Sequence, residues 1–252
     1  MAISLASLSK PTSKPVIATV LGEAGVGKTT FAATFPNPVI VPIEDGLQAL
    51  DGQEIAAFPL INSNNELMEV LESLATQEHD FKTVVFDSIT RLNEIFEREV
   101  VESDPKRPKT INVALGGYGA GHSAVAQKHR EFRDLCGALR DRFNMNVVFI
   151  AHADTETLEL PDQDPFQRYT IRMNKRSVSA YVDNVDLVGL LRLKTFTTGD
   201  GDRKRAVADG TVEVVTYPHP SGVSKNRFGI NKALNVPFGE NPLKEFIKSL
   251  NV

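Results

Sequence analysis

Residues 22–29 read GEAGVGKT, which places glycines, a lysine and a threonine in the spacing G-x-x-x-x-G-K-[ST]. The chemistry of that spacing is polyphosphate binding. Gly22, Gly25 and Gly27 let the main chain turn so that its N–H groups point inward. Lys28 is set to reach the β- and γ-phosphates of ATP, and the Thr29 hydroxyl to coordinate Mg²⁺. Glu23, Ala24, Val26 and Thr30 complete the stretch expected to line the nucleotide. Three further residues extend the chemistry. Asp87 ends the apolar run TVVFDS (83–88) and is the natural carboxylate to support Mg²⁺, although a strand-ending aspartate also caps helices. The residue after it is Ser88, so no base follows directly. Glu44, ending VIVPIED (39–45), is the next candidate to orient a hydrolytic water. His152 closes VVFIAH and is positioned to sense the γ-phosphate.

These side chains need elements that bring them together. VIATVL (16–21) is continuous, apolar and β-branched, as a doubly covered strand is. TTFAATF (29–35) continues from the glycine loop as a helix that Pro36 stops. Strands are expected at 39–45, 83–88 and 146–154, with a short edge strand at 55–60, where Pro59 excludes a central place. Helices are expected at 64–78, 89–101 and 123–143. This alternation predicts a mainly parallel sheet flanked by helices, and strand C-terminal ends then line the ligand crevice. Segments 185–195, 204–209 and 211–217 alternate instead like antiparallel strands, with TTGDGD and ADG as turns. The expected organisation is a flexible start (1–14), one ATPase domain (15–240) and a C-terminal helix or tail (241–252).

The 252 residues carry 28 Lys and Arg against 32 Asp and Glu, a net charge of −4. The protein as a whole is therefore no polycation, and nucleic-acid contact must come from a local patch or from pooled subunits. The single cysteine, Cys136, excludes a disulfide framework and a cysteine-based zinc site within one chain. Its helical spacing with Phe132, Leu135, Leu139 and Phe143 assigns it to packing. No run approaches the roughly 20 apolar residues of a membrane span, and the N-terminus lacks a signal-peptide pattern. A cytoplasmic location is expected.

A base on the second strand, Asp-Ser after the third and a polar residue ending the fourth resemble RecA-like ATPases. IEDGLQALD (43–51) looks like the stretch carrying the catalytic glutamate there, which maps onto Glu44. SKNRFG (224–229) is similar to the signature of the RadA branch, and DnaB-type helicases carry a related lysine–x–arginine. The resemblance implies that Lys225 and Arg227 reach across a subunit interface to the neighbour's ATP, so that the protein forms a ring or filament. The format most resembles the small phage-encoded RecA-like ATPases of recombination and single-strand annealing, which implies the host-cell cytoplasm. It departs from RadA in having no zinc finger, and no RecA-type DNA-binding domain is expected at the C-terminus.

Two segments are candidates for single-stranded DNA. One is the Pro- and Gly-rich loop 103–122, with Lys106, Arg107, Lys109 and Tyr118, whose ring could stack on a base. The other is RYTIRMNKR, with Arg168, Arg172, Lys175 and Arg176 and no acid. The leading expectation is an oligomeric, DNA-stimulated ATPase, with a single-strand-binding protein as a candidate partner. A nucleotide-switched loader acting on a protein partner, and a helicase motor, are the alternatives.

Overall fold

The computed structural model describes residues 4, 5, 8, 10, 12–198 and 205–251. Its centre is a sheet in which β1 (Ile17–Gly22) lies between β5 (Asn146–Leu158) and β7 (Leu187–Thr198). Outward from β5 come β4 (Thr83–Asp87), β2 (Pro38–Pro42) and the edge strand β3 (Ala56–Ala57), all parallel to β1. Beyond β7 the pairing turns antiparallel, through β8 (Arg205–Val215) and β10 (Leu234–Asn235). Two short additions complete it: β9 (Lys225–Asn226) pairs with the start of β7, and β6 (Phe166–Ile171) with the far half of β5.

The strand sequences are continuously apolar because both faces are covered. Ile17, Leu21, Val84, Phe86, Val147 and Phe149 point to one side, where they pack with α2 (Asn64–Thr76), α3 (Ile89–Ser103), α4 (Ala120–Phe143) and α5 (Lys175–Val182). Ala18, Val20, Ile40, Val85, Val148 and Ile150 point to the other, against α1 (Lys28–Ala32) and Leu243, Ile247 and Leu250. This is the two-residue period of a strand read on two covered faces. Phe149 touches the rings of Phe86, Phe132 and Tyr181, so truncating it to alanine should cost about 3–5 kcal/mol. The start of α2 is fixed by a reciprocal pair: Ser63 Oγ accepts from Glu66 N, while Glu66 accepts from Asn62 N.

Several expectations need correction. The ADG segment is not a turn: Gly210, at φ +85°, sits inside one continuous β8, where the register against β7 shifts between Leu193 and Thr195. A glycine in that conformation makes a bulge rather than a reversal. The TTGDGD turn lies largely outside the described residues. His152 does not end its strand, since β5 runs on to Leu158 by exchanging a parallel partner for antiparallel β6. Of the five residues expected on the Cys136 face, Leu135 and Phe143 are exposed. The C-terminal segment forms two 3-10 turns, Pro242–Glu245 and Lys248–Leu250, whose apolar residues complete the α1 face of the core.

Candidate nucleotide site

Residues 23–27 turn between β1 and α1 at the C-terminal end of the parallel strands. Gly22 is required by a close approach, because a Cβ there would lie 2.5 Å from the Leu191 carbonyl oxygen of β7. Gly27, at φ +92°, is required by conformation. Lys28 is only 6% exposed, and its ammonium donates to the Glu23 carbonyl across the loop at 2.8 Å. Burial pushes its pKa down, and the positive charge of Arg172 adds to that, against the attraction of Asp87 and Glu44. Within the loop Ala24 and Gly25 are exposed, Val26 and Thr30 are half-buried, and the Glu23 carboxylate accepts from the Tyr169 hydroxyl at 3.4 Å.

Thr29 Oγ1 donates to Asp87 Oδ2 at 2.5 Å. A threonine hydroxyl and a carboxylate are hard oxygen donors, the set that Mg²⁺ takes when phosphate oxygens and water supply the rest. The residues present therefore fit the group. Burial raises the pKa of Asp87, only partly offset by the Thr29 hydrogen bond. Asp87 does not cap α3; Ser88 does so, with Oγ accepting from Arg91 N at 3.3 Å.

Glu44 lies just past β2, tethered by its own N–H to the Asp87 carbonyl at 3.1 Å. Its carboxylate accepts from Ser88 Oγ at 3.0 Å and from His152 Nε2 at 3.0 and 3.1 Å. Burial opposes ionisation, but those bonds and the Lys28 charge outweigh it and hold the carboxyl below the ordinary glutamate range. His152 is itself located by β5 and by its N–H bond to Thr90 Oγ1. Glu44, Asp87, Lys28, Thr29 and His152, contributed by four separate segments, thus stand at one end of the sheet. The role of Ser88 escaped the sequence, where it marked only the lack of a following base.

Lys225 and Arg227 stand elsewhere. Lys225 Nζ donates to the carbonyls of Val182 and Asp183, and Arg227 pairs with Asp186 at 2.9 Å, beside the first residue of β1. Five strand steps separate that end from Gly22, about 16 Å, so neither residue meets the phosphate loop of its own chain.

The two basic segments lie side by side. Arg176, on the first turn of α5, donates to the Gly119 carbonyl at 2.5 Å and to Ser123 Oγ at 2.7 Å, which joins it to the glycine stretch. Segment 168–176 is not a loop: Arg168 lies on β6, and both Arg168 and Lys175 pair with Glu156. Lys106, Arg107, Lys109 and Tyr118 are presented by the turn after α3, and Tyr118 is fully exposed. Asp104 shapes that turn by accepting from the N–H groups of Lys106 and Leu115, which hold its carboxyl below the ordinary range. Its role also escaped the sequence, hidden in a stretch notable for proline and glycine.

Comparison with known proteins agrees with this frame. The chain is 25% identical over 177 residues to the SPbeta prophage-derived uncharacterized protein YorG of Bacillus subtilis (strain 168), covering 68% of this chain. It spans about half the length of that relative, 49%. A crystal structure of the RadB recombinase superposes with a TM-score of 0.50 at 13% identity, covering 88% of this chain and 87% of the other, a likeness of fold. The model of the AAA domain family matches residues 14–228. That match runs from before the phosphate loop to the KNRFG segment, and the chain therefore belongs to the AAA domain family, as a P-loop ATPase built on a RecA-like sheet.

Proposed function

We propose that the protein binds Mg-ATP and hydrolyses it between subunits of an oligomer assembled on single-stranded DNA, in recombination or strand annealing. Lys28 exchanges the Glu23 carbonyl for the β- and γ-phosphates. Thr29 and Asp87 hold Mg²⁺, which when bound neutralises charge on the phosphate oxygens. Glu44, ionised at neutral pH, orients and polarises the attacking water, while His152 and Ser88 fix the carboxylate's direction. Arg227 and Lys225 of one subunit stabilise the charge developing at the next subunit's nucleotide.

The observation that carries the DNA reading is the continuity of β5. The strand that holds His152 against Glu44 runs without a break into the β5–β6 hairpin, where Glu156 gathers Arg168 and Lys175. A change at the nucleotide thus has a rigid element leading to the basic face. The test is the ATP hydrolysis rate with and without single-stranded DNA, over a range of protein concentrations. The rate should rise with DNA and steeply with protein concentration; Lys28→Ala should abolish it. Unwinding of a duplex flap in the same assay would instead identify a helicase motor.

A second reading is a nucleotide-switched loader with a protein partner, a single-strand-binding protein among the candidates. It draws on the β7–β8 hairpin, where Leu193, Phe196 and Val207 are exposed. A slow hydrolysis rate indifferent to DNA would favour it. Among the described residues no helix is long and apolar enough to cross a membrane.

A further inference from the structure

The four cations of segment 168–176 are not equivalent. Arg168 and Lys175 share Glu156, and Arg176 is committed to Gly119 and Ser123. Among the described residues Arg172 alone of the four has a guanidinium with neither ion pair nor hydrogen bond. Its backbone is nevertheless fixed, since its N–H donates to the His152 carbonyl at 2.9 Å. That bond extends the β5–β6 ladder by one pair beyond Ala153–Ile171 and sets Arg172 opposite His152.

Residues directly opposed on antiparallel strands send their side chains to the same face. The ladder displays this at Glu156 and Arg168, an opposed pair whose side chains form an ion pair. Counting in twos, Arg172 and His152 occupy that same face, and the His152 ring is directed at Glu44. The arginine therefore projects over the edge of the nucleotide site rather than away from it, and its charge reaches Lys28.

We infer that Arg172 is a phosphate-binding residue of its own subunit, a guanidinium that closes on the γ-phosphate of a nucleotide held by the phosphate loop. The inference rests on the nucleotide site proposed above. A guanidinium suits the task, because it offers paired donors to phosphate oxygens and stays charged. Nothing need be broken to deliver it. The site would thereby distinguish a triphosphate from a diphosphate. Arg172 also lies two residues before Asn174, the cap of α5, so its engagement is passed to the helix whose Arg176 holds the glycine stretch.

The experiment is equilibrium binding of fluorescent ATPγS and ADP, both with Mg²⁺, to the wild type and to Arg172→Ala, Arg172→Lys and Lys28→Ala. Arg172→Ala should lose roughly ten- to a hundred-fold in ATPγS affinity, the size of a charged hydrogen bond, with ADP affinity unchanged. Arg172→Lys should recover part of the loss. An unchanged ratio of ATPγS to ADP affinity in Arg172→Ala overturns the inference, as does a loss of affinity for single-stranded oligonucleotide with the ratio intact. Lys28→Ala separates the two levels of argument. If it binds both nucleotides like wild type, the site reading itself fails; if it loses both while Arg172→Ala keeps the ratio, only the role of Arg172 falls. Circular dichroism of each variant checks the fold, which an exposed substitution should leave intact.

Discussion

The two ends of β1 both gather charge and treat it in opposite ways. At the Ile17 end, Asp186 accepts from the Ile17 N–H, from Arg140 at 3.4 Å and from Arg227 at 2.9 Å. Both arginines there have a counter-charge in Asp186, and the carboxylate staples β7 to β1 and α4. At the Gly22 end, the Lys28 ammonium meets a carbonyl, Asp87 is buried beside a hydroxyl, and Glu44 is shared by a histidine and a serine. Buried charge without close pairing costs stability. A fold retains such an arrangement where a ligand supplies the missing charges. One end holds the sheet together; the other is organised for something that binds.

Arg227 offers the sharpest way to break that contrast. Its side chain is 60% exposed where that of Arg140 is 18%, so it is the outer and releasable partner of Asp186. If it serves a neighbour's nucleotide, Arg227→Ala should lower turnover by about 10³–10⁵. Stability should change by less than about 1 kcal/mol, because Ile17 and Arg140 still satisfy Asp186 and exposed pairs are worth little. Mixing it with Glu44→Gln should restore part of the activity once cross-linking shows mixed oligomers. Lost stability with intact turnover would make Arg227 part of the staple instead. Glu44→Gln alone should cost about 10²–10⁴ in turnover and leave ATP affinity near wild type. A matching fall in affinity would mean that the carboxylate positions the loop rather than water.

Between the two ends lies a polar cluster with no charge. His129, fully buried, bonds to Asn93 Oδ1 at 3.1 Å and to the Tyr181 hydroxyl at 2.7 Å. Asn93 Oδ1 only accepts, so Nε2 carries the proton and Nδ1 accepts from Tyr181. Burial pushes the His129 pKa down to about 3 from 6.5. Between those values the unfolded chain binds a proton that the folded one refuses, so the contribution is complete above about 6.5 and shrinks as pH falls. Urea melts should show a loss of a few kcal/mol from pH 7 to pH 4, and His129→Gln should flatten the slope. An equal slope in the variant would place the acid sensitivity elsewhere.

How far the sequence carried these arguments depended on whether the signal was local. The phosphate loop and the β-branched core strands were legible because spacing and continuous apolarity are properties of adjacent residues. The antiparallel extension was legible in kind, while its ADG bulge read as a turn because glycine at positive φ serves both. His152 was expected to end a strand, since the antiparallel partner that prolongs β5 begins 14 residues later. The bond from Ser88 to Glu44 joins residues 44 apart in the chain. The Gly119 carbonyl that holds Arg176 is 57 residues away, and Glu156, which absorbs Arg168 and Lys175, lies outside the basic run on the preceding strand. A basic run reads the same whether its charges are free or already spent.

The smallest expected effect tests the cost assigned to the Gly22 end. Asp87 has a pKa raised chiefly by burial, then by Glu44, against the hydrogen bond from Thr29 and the charges of Lys28 and His152. Above that folded pKa the carboxylate is ionised in both states and the full cost of burying it is present. As pH falls through it, the folded protein takes up the proton first and the cost disappears, so this residue makes the nucleotide-free protein more stable in mild acid. Asp87→Asn has the shape of the protonated form, and its amide oxygen still accepts from Thr29. Thermal melts without nucleotide at neutral pH should place the variant slightly above wild type, with the gap closing toward the ordinary aspartate range. With Mg²⁺ and ATPγS the order should reverse, because a ligand that binds only the folded state stabilises the protein that can hold its metal. A variant less stable than wild type under both conditions would show that the Thr29–Asp87 bond is a structural tie, and that this end of β1 carries no cost for a ligand to relieve.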